Sequence, residues 1–169
     1  TSIFLSSNAT ENNVKSISSP DILHIATHGF FKSSLEGNPM LNSGLLLAGC
    51  DNTKPSFEDG YLSAYEMSFL DLEKTELVVL SACETGVGEI KSGEGVYGLQ
   101  RSFIVAGAQN VIMTFFKVND EVTQELMSDF YTQWLATGDK RAAFQSAKLK
   151  IKEKYQKPVY WGSFVLIGM

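Results

Sequence analysis

Residues 77–82 of this chain form a continuously apolar run, LVVLSA, that lies between charged and polar residues. A run this short, with two adjacent valines, is typical of a β-strand that is covered on both faces. Strands covered on both faces occur mainly in parallel sheets that carry helices on each side. This one segment therefore favours an α/β protein over a helical bundle or an all-β sandwich.

The rest of the chain repeats this alternation of strand-like and helix-like segments. Candidate strands are residues 22–27, 45–48, 110–116 and 163–167, and candidate helices are residues 61–70, 96–106, 121–136 and 140–156. In the third helix, Val122, Leu126, Phe130 and Leu135 can share one face, and Gly138 stands where a helix would end. Strands alternating with helices predict βαβ units and a mostly parallel central sheet.

Charge and composition exclude several classes of protein. The chain has 169 residues and a net charge of −5, so it has no excess of positive charge with which to bind nucleic acid. It has no apolar run long enough to cross a membrane, and its two cysteines cannot form a disulfide scaffold. We expect a cytoplasmic domain over residues 1–169, and the initial Thr1 predicts that it is the C-terminal part of a longer protein.

Two reactive side chains follow predicted strands. His28 comes directly after residues 22–27, and Cys83 comes directly after residues 77–82. In an open α/β sheet, ligands bind at the carboxyl ends of the strands. If these two strands are neighbours, the imidazole and the thiol face one crevice, where a histidine can activate a cysteine as a nucleophile. A simpler alternative is that Cys83 is a small buried apolar residue.

Other candidate sites carry less weight. His24 and His28 are four residues apart, which on a strand separates them by about 13 Å, too far to share one metal ion. His24 is therefore interpreted as a core histidine or one that supports the site. The glycines Gly93, Gly95 and Gly98 match a dinucleotide-binding pattern, but that pattern requires a strand that ends at Gly93, and none is predicted there. We therefore expect no dinucleotide cofactor, and we expect no metal ion either. Cys50 has no histidine nearby and is interpreted as structural.

Six segments of this sequence, in order, resemble one known family. They are DILHIATHGFF (21–31), SGLLLAG (43–49), DGYLSAYEMSFLDLEKTELVVLSACETGVGE (59–89), GEGVYGLQRSFIVAGAQNVI (93–112), KVNDEVT (117–123) and VYWGSFVLIG (159–168). Together they resemble CHAT domains, the caspase-like domains commonly attached to tetratricopeptide repeats. The resemblance implies the caspase–separase fold, a three-layer α/β/α sandwich, here expected to lack its first strands.

The resemblance also implies a cysteine endopeptidase that works through a Cys–His dyad. It assigns Cys83 as the nucleophile, His28 as the general base and acid, and the backbone N–H groups of Gly29 and Cys83 as the oxyanion hole. The reaction would be peptide hydrolysis through a thioester acyl-enzyme. Such a dyad needs no third residue, such as a carboxylate that orients the histidine, and it needs no cofactor.

Asp120 is a candidate for reading a basic substrate residue. In separases an apolar strand is followed by a W-x-V-x-D stretch whose acid accepts a substrate arginine, and residues 116–120 (FKVND) are similar to it, with Phe116 in place of the tryptophan. The alternative is that Asp120 or Asn119 caps the helix over residues 121–136. Glu84, beside the nucleophile, is a weaker candidate for the same substrate contact.

The resemblance implies a protein substrate and a regulatory domain, such as tetratricopeptide repeats, in bacterial signalling or defence. A polar, glycine-rich segment at residues 84–95 is where we expect movement on activation. Two other functions remain open: a non-catalytic caspase-like interaction module, and a thiol-dependent acyltransferase or hydrolase of small molecules.

Overall fold

The computed structural model describes residues 1–31, 38–51, 58–81, 94–115 and 119–168. Within these ranges the helices are α1 (Glu11–Lys15), α2 (Ala64–Met67), α3 (Glu94–Val105), α4 (Asp120–Thr137) and α5 (Lys140–Lys154). The strands are β1 (Ile22–Ala26), β2 (His28–Phe31), β3 (Ser43–Leu46), β4 (Tyr61–Ser63), β5 (Leu77–Ser81), β6 (Asn110–Thr114) and β7 (Phe164–Gly168).

The central sheet has the strand order β1-β5-β6-β7. Strands β1, β5 and β6 are parallel, and β7 is antiparallel to β6. The predicted α/β class with a mostly parallel central sheet is therefore confirmed. A second sheet, β2-β3-β4, is antiparallel and follows directly from the end of β1.

Strand β5 explains why the sequence has a continuous apolar run at this point. Val78 and Leu80 face a core that includes Leu99 and Phe103 of α3. Leu77 and Val79 face a second core, built with α4 and α5. Since successive side chains of a strand point to opposite faces, a strand between two cores must be apolar at every position.

Helix α4 begins and ends at residues that suit those positions, and α5 also begins at such a residue. Asn119 is the N-cap of α4, and its side chain accepts hydrogen bonds from the backbone N–H groups of Glu121 and Val122. Gly138 ends α4 in the left-handed conformation, with φ of 73°, as the sequence predicted. Asp139 then caps α5 by accepting from the N–H of Ala142.

Two expectations from the sequence are wrong. Residues 61–70 do not form one helix, because Tyr61–Ser63 pairs with β3 and buries Leu62 against Leu45. The helix starts only at Ala64, where Ser63 and Glu66 form a capping box, and ends at Met67. Leu135 does not share the buried face of α4 and is 78% exposed, because the four-residue spacing from Phe130 places Trp134 in the core instead.

Candidate functional site

A cavity of about 640 Å³ lies at the carboxyl ends of β1 and β5, beside α4. Its walls come from His24, Ala26, Thr27, His28, Ser81, Asp120, Thr123, Gln124, Met127, Ser128 and Tyr131. The chain therefore places a cavity at the sheet edge where open α/β sheets bind their ligands.

His28 reaches the cavity because the chain changes sheets just before it. Strand β1 ends at Ala26, and the hydroxyl of Thr27 donates a hydrogen bond to the carbonyl of Leu46. His28 then begins β2 and pairs with Leu46 of β3, with its side chain exposed at the cavity. The next residue, Gly29, is buried and pairs with Leu45.

The two strands that precede His28 and Cys83 are neighbours, which is the condition on which the sequence-based hypothesis depended. Strand β1 runs parallel to β5, and Ala26 is the register partner of Ser81. His28 and Cys83 therefore each come two residues after a paired position. Cys83 and Glu84 lie outside the described residues, so the dyad, the oxyanion hole and the Glu84 contact stay predictions.

Asp120 lies at the same cavity as His28. It is the first residue of α4, and the capping hydrogen bonds of that helix are made by Asn119. Of the two capping alternatives, the structure therefore selects Asn119. The Asp120 carboxylate is exposed in the first turn of the helix, where the helix dipole favours negative charge.

His24 is not a core residue but lies at the cavity wall, where its ring contacts two hydroxyl groups. Nε2 is 3.3 Å from Ser81 Oγ, and Nδ1 is 3.3 Å from the hydroxyl of Tyr131. The surrounding protein removes enough water from the ring to lower the pKa of His24 below its ordinary value. This shift favours the neutral form of the ring.

The sequence analysis missed the part of this site that α4 contributes. Thr123, Gln124, Met127, Ser128 and Tyr131 all line the cavity and recur at helical spacing. They form a mostly polar stripe that borders the buried face of α4 and shares Met127 with it, so hydrophobic periodicity does not reveal the stripe. The candidate residue Asp120 begins this helix, and the side chains three, four, seven, eight and eleven positions after it share its face. That spacing is the signal that could have identified the stripe.

The absence of a metal ion stays a prediction, because the structure describes only the ranges given above. Across these ranges, no group of three histidine, cysteine or carboxylate side chains is placed to hold a metal ion. In the same part of the chain, no helix has the length and apolar character needed to span a bilayer.

Comparison with known proteins identifies the family. A family model for the CHAT domain matches residues 1–169. This chain belongs to the CHAT domain family. Its fold is accordingly caspase-like, in agreement with the parallel sheet and its flanking helices.

The CHAT chain is also similar to tetratricopeptide repeat protein 28 of two mammals. The human protein is 25% identical over 192 aligned residues, which cover 95% of this chain and 8% of that protein. The mouse protein is 29% identical over 117 residues, which cover 68% of this chain and 5% of that protein. The CHAT chain thus spans less than a tenth of the length of these relatives.

Proposed function

We propose that this CHAT domain is a cysteine endopeptidase that acts through Cys83 and His28. The observation that carries the proposal is the parallel pairing of Ala26 with Ser81, because it brings the carboxyl ends of β1 and β5 side by side. Each candidate residue follows one of these ends by two positions. A cavity large enough for a substrate side chain lies at the same edge.

The chemistry assigned to the dyad divides peptide hydrolysis into two steps. His28 takes the proton of the Cys83 thiol, and the thiolate attacks the substrate carbonyl carbon. Backbone N–H groups of Gly29 and Cys83 stabilise the oxyanion, and the C–N bond then breaks as His28 protonates the leaving amine. Water, activated by His28, hydrolyses the thioester and releases the acid product.

Asp120 is proposed to select a basic residue on the substrate. Its carboxylate shares the cavity with His28, and no lysine or arginine is among the described residues of the cavity wall. A substrate arginine or lysine would therefore meet a negative charge, with no competing cation among the described wall residues. An acidic substrate side chain would be disfavoured for the same reason.

The proposed setting is a reducing compartment such as the cytoplasm, with a tetratricopeptide repeat array as regulatory partner. A nucleophilic thiol needs reducing conditions in order to stay reduced. The names of the mammalian relatives support the proposed association with such repeats. The protein substrate is the second partner that the mechanism requires.

Hydrolysis of peptides and of small esters would test the proposal against its alternatives. We expect the chain, with its repeat partner supplied if required, to cleave a fluorogenic peptide after arginine or lysine. Cys83→Ala and His28→Ala should each abolish cleavage while the circular dichroism spectrum is unchanged. Turnover of small esters, without turnover of any peptide, would instead indicate a thiol-dependent acyltransferase or hydrolase of small molecules. No turnover of either would favour the interaction module.

A further inference from the structure

The ring of His24 joins three elements at the cavity. It belongs to β1, its Nε2 contacts Ser81 at the end of β5, and its Nδ1 contacts Tyr131 on α4, each over 3.3 Å. The His24 and Tyr131 rings are also packed together, with their centroids 6.0 Å apart. His24, Ser81 and Tyr131 are thus distinct from the two residues assigned to the proposed dyad.

Each of the three elements leads to a residue of the proposed active site. His24 precedes His28 by four residues, and Ser81 precedes Cys83 by two. Helix α4 begins at Asp120 and carries Tyr131 three turns later, at the far end of the same cavity. A change in the His24 contacts would therefore reach His28 and Cys83 through short stretches of chain, and Asp120 along helix α4.

Neutral imidazole suits this bridging position. It offers one N–H donor and one nitrogen acceptor, and each hydroxyl can take the complementary role. Burial raises the pKa of Tyr131 to about 12, so its hydroxyl keeps its proton throughout the neutral range. The Tyr131 ring is itself held by Phe130 and Trp134, with centroids at 5.2 and 6.3 Å, so it offers His24 a fixed partner.

We propose that His24 is a positioning residue, which fixes the carboxyl ends of β1 and β5 relative to each other and to α4. This inference rests on the proposed peptidase function, since the residues that it aligns are His28 and Cys83. His24 itself is not assigned contact with the substrate or with the reacting atoms. Its effect is on how often the imidazole and the thiol have the geometry needed for attack.

The first test is a comparison of two substitutions at His24. His24→Gln keeps a donor and an acceptor on the side chain, whereas His24→Leu removes both. We expect His24→Leu to lower kcat for the peptide substrate about 10- to 100-fold with little change in KM, and His24→Gln to recover most of that loss. Leu135→Ala, at an exposed position of α4, is the matched control and should leave both constants unchanged.

A second readout does not depend on activity. The chain has two histidines, so the NMR signals of their rings can be assigned with one variant each. We expect the His28 ring signals to shift in His24→Leu and in Tyr131→Phe, which removes one oxygen atom only, and to return toward the wild-type position in His24→Gln. Unchanged His28 signals in both of the first two variants would overturn the positioning role.

These two readouts separate the inference from the proposed function. If the wild-type chain cleaves no peptide, the peptidase proposal fails and the His28 signals alone decide the role of His24. If the wild-type chain is active, a His24→Leu variant with the wild-type kcat would overturn the inference and leave the peptidase intact. A loss of kcat that glutamine does not recover would also overturn it, because the hydrogen-bonding groups would then not matter.

Discussion

At the scale of single residues, the cavity separates two kinds of polar group. Asp120 and His28 are the exposed residues that are proposed to act on the substrate, whereas His24, which is exposed as well, contacts the hydroxyl groups of Ser81 and Tyr131. Among the described wall residues Asp120 is the one carboxylate and there is no lysine or arginine, so the proposed selectivity for charge rests on Asp120.

Asp120→Asn should change which substrates are cleaved. We expect kcat/KM for a substrate with arginine before the scissile bond to fall by about tenfold, because a charge-assisted hydrogen bond becomes a neutral one. The value for a matched substrate with glutamine in that place should stay within about twofold. Parallel kinetic measurements on the two peptides test this, and an equal loss on both would contradict the proposed charge recognition.

The lowered pKa of His24 predicts how stability depends on pH. The unfolded chain protonates this ring near its ordinary value of 6.5, and the folded chain does so at a lower pH. Its contribution to the free energy of unfolding is therefore full above about pH 6.5 and is lost as the pH falls below it. Urea denaturation between about pH 7.5 and 5.5 should show a weaker decline for His24→Gln than for the wild type. If the free energy of unfolding declined equally with falling pH in the two proteins, the lowered pKa of His24 would be contradicted.

At the scale of elements, the short junctions position the site. Ala26, Thr27 and His28 carry the chain from the central sheet into β2, and Asn119 begins α4 beside the cavity. At the other end of α4, Gly138 lets the chain turn directly into the cap of α5. These junctions hold the two helices against the sheet face opposite α3.

Gly138→Ala should destabilise the fold through the backbone alone. A Cβ at this position would contact no atom within 4 Å, so the cost comes from φ of 73°, which non-glycine residues seldom adopt. We expect a loss of about 1 kcal/mol in the free energy of unfolding. Gly138→Asn should lose less, because asparagine tolerates this conformation. Urea denaturation of both variants measures the difference, and equal losses would contradict the explanation.

The sequence predicted long elements better than short ones. Helices α4 and α5 and strand β5 have a clear period or a continuous apolar run, and the structure places them within a few residues of the predicted bounds. The stretch after Gly60 was misread because Leu62, Ala64, Met67 and Leu70 are all buried, partly from a strand and partly from a short helix. A mixed segment of this kind imitates a helical period, and only its pairing with β3 resolves it.

At the scale of the whole molecule, one sheet is shared by two hydrophobic cores. Phe103 is fully buried on the α3 face, and Phe130 is fully buried on the face covered by α4 and α5. Because β5 and β6 contribute side chains to both cores, neither core can be lost without disturbing the other. The two faces should therefore unfold together.

Phe103→Ala and Phe130→Ala should each cost about 3–5 kcal/mol in the free energy of unfolding. Although Phe103 and Phe130 lie on opposite faces of the sheet, each variant should still unfold in a single transition. Far-UV circular dichroism and tryptophan fluorescence, followed in the same urea titration, should give coincident midpoints. Separate midpoints in either variant would contradict the shared-sheet account.

The candidate site was predictable from sequence only in part. Position at a strand end identified His28, and the cavity brings it together with Asp120. Ser81 and Tyr131 were missed because a serine in an apolar strand and a tyrosine on a polar helix face carry no local signal. Their role depends on the pairing of β1 with β5 and on the packing of α4, which are tertiary features.

The most direct test of the central claim is covalent labelling of Cys83. The chain, alone and with its repeat partner, would be treated with a peptidyl acyloxymethyl ketone carrying arginine beside the reactive group, and its intact mass recorded. We predict one adduct on Cys83, none in Cys83→Ala or His28→Ala, and slower labelling in Asp120→Asn. Equal labelling of wild type and His28→Ala, or no adduct on the folded protein in either setting, would contradict a Cys–His peptidase.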